Sequence, residues 1–213
     1  NTKLYTGNGS AGHSITGVGF QPDWVWMKRR DGTKAHRLCD AARGVTKLVQ
    51  SNSTDAEQTD ANTLTAFGAD GFTLGDDNQG YGVNVSGQSM VSWNWKANGQ
   101  GSSNTDGTIN STYTSADQTS GFSIVTYTGT GSSATVGHGL GATPSSIFIK
   151  ELGNANNWHV WHDTLSATQY LLLDSNNGKQ NYAPVGIGTM TSTTFSLGTV
   201  TGVNRSGGTY VAY

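Results

Sequence analysis

Tyr5-Thr-Gly-Asn-Gly-Ser10 recurs as Tyr127-Thr-Gly-Thr-Gly-Ser132, an offset of 122 residues. The same offset carries Gly17 onto Gly139, Gly19 onto Gly141, Pro22 onto Pro144 and Lys28 onto Lys150. With one residue inserted, His36-Arg-Leu-Cys-Asp40 aligns with His159-Val-Trp-His-Asp163, and Phe72-Thr-Leu-Gly75 with Phe195-Ser-Leu-Gly198. Val83-Asn-Val-Ser-Gly87 then meets Val203-Asn-Arg-Ser-Gly207. A match that keeps both order and spacing predicts an internal duplication. Residues 1–99 form copy one, residues 100–120 a polar linker in which Thr108 to Tyr113 could add an edge strand, and residues 121–213 copy two. Copy two is introduced by the apolar run Gly121-Phe-Ser-Ile-Val125, which copy one starts too late to include. Copy one continues through Asn94-Trp-Lys96, beyond the point matching Tyr213. The register therefore predicts a longer natural chain with neighbours on both sides.

Within each copy, short runs of aromatic and β-branched residues follow turns punctuated by glycine or proline, which is the pattern of strands. Asp23-Trp-Val-Trp-Met-Lys28 and Ser145-Ser-Ile-Phe-Ile-Lys150 lead this set. Lys47 to Gln50, Gly71 to Leu74, Met90 to Trp95, Ser123 to Tyr127, His159 to His162, Tyr170 to Leu173, Thr194 to Leu197 and Thr209 to Tyr213 complete it. A helical turn is expected within Ala35 to Leu48, with a counterpart at Asp163 to Thr168. The predicted fold is all-β: two tandem antiparallel β-sandwich units of jelly-roll type, related by duplication.

Composition narrows the function. The 213 residues carry 12 Lys+Arg against 14 Asp+Glu, a net charge of −2, so no strong field attracts nucleic acid or an anionic membrane. Charged residues are 12% of the chain, about half the usual share, while glycine numbers 30. No run reaches the roughly eighteen apolar residues that span a bilayer. Cys39 is alone, which excludes an internal disulfide and cysteine-based zinc sites. Glycosylation triplets at Asn8, Asn52, Asn84, Asn110 and Asn204 are what a Ser/Thr/Asn-rich chain produces by chance.

Comparison of the copies separates packing from contact. Positions apolar in both, Val25/Ile147, Trp26/Phe148, Leu38/Trp161, Phe72/Phe195 and Trp93/Tyr213, are expected in the core. Aromatic residues present in one copy are candidates for ligand stacking: Trp24, Tyr81, Trp158 and Tyr182. His159 and His162 would point to opposite faces of a strand, which argues against a shared metal. A structural hydrogen bond is expected instead between each repeated His and the Asp four residues on. His13 and His138 are expected in solvated loops, and Gly7-Asn-Gly9 and Gly129-Thr-Gly131 in hairpin turns. Asp70, Asp76 and Asp77 have no matching acids in copy two and fail the calcium-loop spacing. Glu57 and Glu151 sit at unmatched places, unlike a glycosidase pair. No catalytic residue, metal site or cofactor is expected.

These strings resemble a known family. Ile15-Thr-Gly-Val-Gly-Phe20-Gln-Pro-Asp-Trp-Val25, Asn62-Thr-Leu-Thr-Ala-Phe-Gly-Ala-Asp-Gly-Phe-Thr-Leu-Gly75 and Val85-Ser-Gly-Gln-Ser-Met-Val-Ser-Trp-Asn-Trp-Lys96 are similar to a repeated domain of structural and fibre-like proteins of tailed phages, including cyanophages and pelagiphages. The resemblance implies a lectin-like sandwich, similar to concanavalin A or laminin G domains, and a place on the virion surface. It brings no catalytic residues. The expected function is a non-enzymatic tail-fibre or appendage segment whose partners are other virion proteins and its own copies, a trimer being the expected oligomer. The alternative is a carbohydrate-binding module for host surface glycan.

Overall fold

A computed structural model describes residues 1–166, 168–182 and 186–213. It divides into two compact units: Asn1–Asn52 with Glu57–Gly99, and Ser53–Ala56 with Gln100–Tyr213. Both are all-β, and every pairing between named strands is antiparallel.

Unit one contains β1 (Thr2–Thr6), β2 (His13–Thr16), β3 (Trp24–Arg29), β4 (Arg37–Asp40), β5 (Lys47–Leu48), β6 (Gln58–Thr59), β7 (Leu64–Gly68), β8 (Gly71–Leu74) and β9 (Ser89–Trp95). One sheet has the order β1-β9-β3-β4 and a second the order β2-β8-β7, with β5 and β6 as a separate pair. Alternation along β3 sends Val25 and Met27 to one face. There they meet Cys39, Ile15, Phe72, Leu74 and Val83 in a core enclosed by the two sheets.

Unit two contains β10 (Tyr113–Asp117), β11 (Phe122–Thr128), β12 (Ala134–Gly137), β13 (Ser146–Glu151), β14 (His159–His162), β15 (Gln169–Leu172), β16 (Gln180–Asn181), β17 (Ile187–Met190), β18 (Thr194–Leu197), the single-turn helix α1 (Thr201–Asn204) and β19 (Thr209–Ala212). Its sheets run β10-β11-β19-β13-β14-β15-β16 and β12-β18-β17. Val125, Tyr127, Ile147, Ile149, Phe195, Leu197 and Ala212 fill the core between them. Burying a side chain of the size of Phe72 or Phe195 contributes about 1.5–3 kcal/mol.

The repeated Tyr-Thr-Gly string marks the corner where the chain crosses from the first sheet to the second. Tyr5 Oη donates to Val83 O at 2.8 Å, and Tyr127 Oη to Val203 O at 2.7 Å. Gly7 and Gly129 are required by close approach: a Cβ would lie 2.2 Å from Val85 O at the first and 2.5 Å from Arg205 O at the second. These loops connect strands of different sheets, so the expectation of hairpin turns is corrected.

The structure corrects several further expectations. Arg37–Asp40 is a strand and the described helical turn is α1, so no helix forms at Ala35 to Leu48. The counterpart expected at Asp163 to Thr168 includes Ala167, which lies outside the described residues. Gln100 to Ser120 belongs to unit two. Its edge strand runs Tyr113–Asp117 and not Thr108 to Tyr113, while Ile109 enters the core. Cys39 lies opposite Val25 as Trp161 lies opposite Ile147, so the inserted residue falls after this strand and Leu38 matches Val160. Trp26 and Trp93 face away from the core that Val25 and Met27 fill, because they occupy the other parity of their strands.

Candidate functional site

Four tryptophans share one face of the β1-β9-β3-β4 sheet. The register sets Trp24 opposite Trp95 and Trp26 opposite Trp93, all on the side away from Val25 and Met27. Trp24 and Trp95 lie 4.5 Å apart between ring centroids, Trp24 and Trp26 5.6 Å, and Trp26 and Trp93 6.2 Å in an edge-to-face arrangement. Such pairs contribute about 0.5–1.5 kcal/mol beyond burial. Trp24 is 4% exposed, whereas Trp26, Trp93 and Trp95 are half-buried. Trp26 Nε1 donates to His36 Nδ1 at 2.8 Å, fixing the histidine at the margin of the cluster. Partial burial, with Lys28 nearby, holds the His36 pKa below its ordinary value.

The other candidate rings are distributed over three places. Tyr81 is half-buried beneath Arg37, whose guanidinium carbon lies 4.9 Å from the ring centroid and whose Nε donates to Tyr81 O. Trp158 is fully buried and stacks on Tyr213. Tyr182, 8% exposed, stacks on Tyr170 at 3.8 Å and shares a hydrogen bond with His159 Nδ1 at 3.1 Å. Sequence reading placed Trp24, Trp158 and Tyr182 at the surface; the structure corrects this. Their rings are buried against Trp95, Tyr213 and Tyr170 respectively. Neighbouring Trp26 and Trp93, set aside as core by the duplication, keep part of their surface.

The acids and histidines hold the backbone together. Asp77, at φ +56°, accepts from the amides of Gly82, Val83 and Asn84 through one carboxylate oxygen. Asp70 accepts from Gly17 and Gly19, and those two amides hold its pKa below the usual carboxylate value. Buried Asp40 pairs with Arg43 at 2.5 Å, and Arg43 also binds Glu57 at 3.0 Å. Glu151, 1% exposed, is held by Arg205, Asn154 and Asn156. Its pKa lies below the ordinary value although burial opposes that, because four donor bonds from these three side chains stabilise the charge.

The expected His–Asp hydrogen bonds are not what these residues make. His36 bonds Trp26 and Asp40 bonds Arg43; His159 bonds Tyr182, while Asp163 lies against exposed His162. His138 is buried, not solvated: Leu140 N–H donates to its Nδ1 and its Nε2 faces Thr191 O at 3.2 Å, a neutral arrangement that burial favours. His13 is half-buried against Asn84 Oδ1. Among the described residues no group of three or more His, Cys, Asp or Glu side chains gathers as a metal cage, and no helix is long and apolar enough to cross a membrane.

An open hollow of about 410 Å³ indents unit two, lined by Thr108, Thr135, Thr189, Ser196 and Gly198 among others. Thr108 N–H already donates to Thr135 Oγ1 across its wall. None of the four aromatic candidates lines it.

No curated protein and no solved structure matches this sequence. One family pattern does, over residues 1–213: a domain of unknown function, DUF7483.

Proposed function

Because the whole chain belongs to the DUF7483 family, whose description assigns no activity, we propose a function from the chain's own construction: it is a non-enzymatic segment of a phage tail fibre or virion appendage, built from two copies of one jelly-roll, lectin-like template. The observation that carries the reading is a pair of corners with matching bonds. Asn84 Nδ2 donates to Ser10 O and Gly75 O, and Asn204 Nδ2 to Ser132 O and Gly198 O. Asn8 N–H donates to Asn84 Oδ1, and Thr130 N–H to Asn204 Oδ1. A template repeated to this level is one selected for shape, and its acids are engaged in holding that shape. The virion assignment rests on the resemblance of the repeated strings to phage fibre domains. Such a segment presents polar loops from rigid sandwiches and gains avidity through copy number, with other virion proteins and its own copies as partners.

Immunogold labelling of purified particles with antibody to residues 1–213 tests the assignment. Label on the tail or capsid surface is the expected result. Particles that lack the chain by mass spectrometry would end the reading.

A second reading, glycan binding, is favoured by the half-buried Trp26–Trp93 pair beside His36. Sugar faces stack on such rings. It requires a glycan-array signal that Trp93→Ala removes while the melting temperature stays within a few degrees. An array without signal for the parent chain rejects it.

A further inference from the structure

We propose that the hollow on the outer face of the β12-β18-β17 sheet is a binding site for one residue of an uncharged sugar. The inference concerns unit two alone and stands apart from the virion reading and from the tryptophan pair of unit one. Val136 and Phe195 lie side by side in the register and enter the core. Alternation therefore turns the neighbouring pair, Thr135 and Ser196, to the opposite side, where they form the floor of the hollow. Ile187 faces Leu197 and Met190 faces Phe195, so Gly188 and Thr189 together oppose Ser196 as a β-bulge. Bulges re-aim side chains, and here exposed Thr189 becomes one wall.

The opposite wall is Thr108, which is tied to the edge of β12. Ile109 N–H donates to Thr135 O at 2.9 Å, Thr135 N–H to Thr108 Oγ1 at 2.9 Å, and Thr108 N–H to Thr135 Oγ1 at 3.0 Å. A wall fixed in this way needs no ordering when a ligand arrives. Position 188 is where the two units differ. Thr65 stands one residue past Leu64 as Gly188 stands one past Ile187, and the Thr65 hydroxyl donates to Thr73 O at 3.2 Å. Gly188 has no side chain to place there, and glycine inside a strand is a mark of close approach by a ligand or another backbone.

The chemistry of the lining selects the occupant. None of the residues around the hollow carries a charge and none is aromatic. An ion finds no counter-charge there, and a flat apolar ligand finds no ring to stack on. What the walls offer is hydroxyl. Thr108 and Thr135 satisfy each other, whereas the hydroxyls of Ser133, Thr189 and Ser196 make no hydrogen bond with any described residue. Each of these three can donate and accept at once, and so can every ring hydroxyl of a sugar. A volume of about 410 Å³ lies at the small end of ligand sites, which suits one sugar residue better than a chain of several. So open a hollow, with no stacking, predicts a dissociation constant on the order of 1–10 mM.

Titration of the isotopically labelled 213-residue chain with methyl glycosides of glucose, galactose, mannose and N-acetylglucosamine, followed by amide NMR, is the test. At least one of the four should produce saturable shifts in that millimolar range, centred on Thr135, Thr189 and Ser196. Ser196→Val removes one unpartnered hydroxyl and should weaken binding at least about threefold; adding Thr189→Val should bring the loss to about tenfold or more. Both side chains face outward, so melting temperatures should stay within a few degrees of the parent. Trp93→Ala should leave the dissociation constant unchanged, which separates this site from the tryptophan pair. The methyl glycoside of glucuronic acid should bind no more tightly than that of glucose. Absence of saturable shifts at the hollow with all four glycosides overturns the proposal, as do shifts confined to Trp26 and Trp93 or binding indifferent to the double variant. Tighter binding of the glucuronide would overturn the choice of an uncharged ligand.

Discussion

The corner at Asn84 and the corner at Asn204 reach the same hydrogen bonds by different local means. In unit one the chain approaches Asn84 through a loop gathered around Asp77, whose carboxylate takes three consecutive amides. In unit two it approaches Asn204 through the helical turn α1, braced by Tyr210, whose hydroxyl donates to Thr201 O and accepts from Arg205 N–H. The residue at Tyr210's place in unit one is Met90. The asparagine and the tyrosine of the repeated string are thus what the corner requires, and the approach can be rebuilt. An acid present in one unit alone can be a substitute for a helix turn and need not mark chemistry.

The severest challenge to this comparison is removal of the shared residue. Asn84→Ala and Asn204→Ala each strand buried carbonyls and amides, and each should cost about 3 kcal/mol or more in urea unfolding. Costs that differ by more than about twofold would break the equivalence. The next largest effect belongs to the matched pair Arg37 and His159, which occupy the same register position opposite Met27 and Ile149. Burial, followed by the charge of Lys150, pushes His159 down to about 4. Its folded pKa lies below the unfolded value near 6.5, so its contribution is full above that pH. It is lost as pH falls toward 4, by up to about 3 kcal/mol. Arg37 does not titrate in this range, so this part of the acid loss belongs to unit two and should be removed in His159→Gln, leaving the lesser losses from half-buried His36 and buried His138; a pH profile unchanged by that substitution would contradict the assignment. Asp77→Ala should cost about 2 kcal/mol through three lost amide bonds and the strained φ, with hydrogen exchange quickening at Gly82 to Asn84 and staying constant at α1. The mildest test exchanges one unit's residue for the other's. Trp26→Phe installs the residue found at position 148 and loses the bond to His36, for about 1 kcal/mol or less by thermal unfolding.

How far the sequence foretold these features depends on where the deciding contacts lie. Strands such as β8, β14 and β18 are visible because their own side chains are apolar at the right period, and all three end where the pattern ends. Strand β2, His13-Ser-Ile-Thr16, has a single apolar residue, Ile15, and exists because β8 lies beside it. Helix α1 reads Thr-Gly-Val-Asn and has little intrinsic tendency to form; the corner holds it. In Trp24-Val-Trp-Met27 both parities are apolar, so alternation separates two faces without saying which one meets the second sheet. Trp24, Trp158 and Tyr182 are hard to place for the same reason, since a difference between the two aligned strings does not say whether a ring is enclosed. Asp77's role depends on amides five to seven residues away, and the sequence encodes that geometry only in the folded loop.

Burial of the two corner asparagines also bears on where the chain can be made. Asn84-Val-Ser86 and Asn204-Arg-Ser206 are acceptor triplets for N-linked glycosylation, yet both asparagines are wholly enclosed once folded. In a secretory pathway that attaches glycans to the emerging polypeptide, a sugar added at either position would prevent its corner from closing. Bacterial cytosol, which lacks that machinery, imposes no such race between modification and folding.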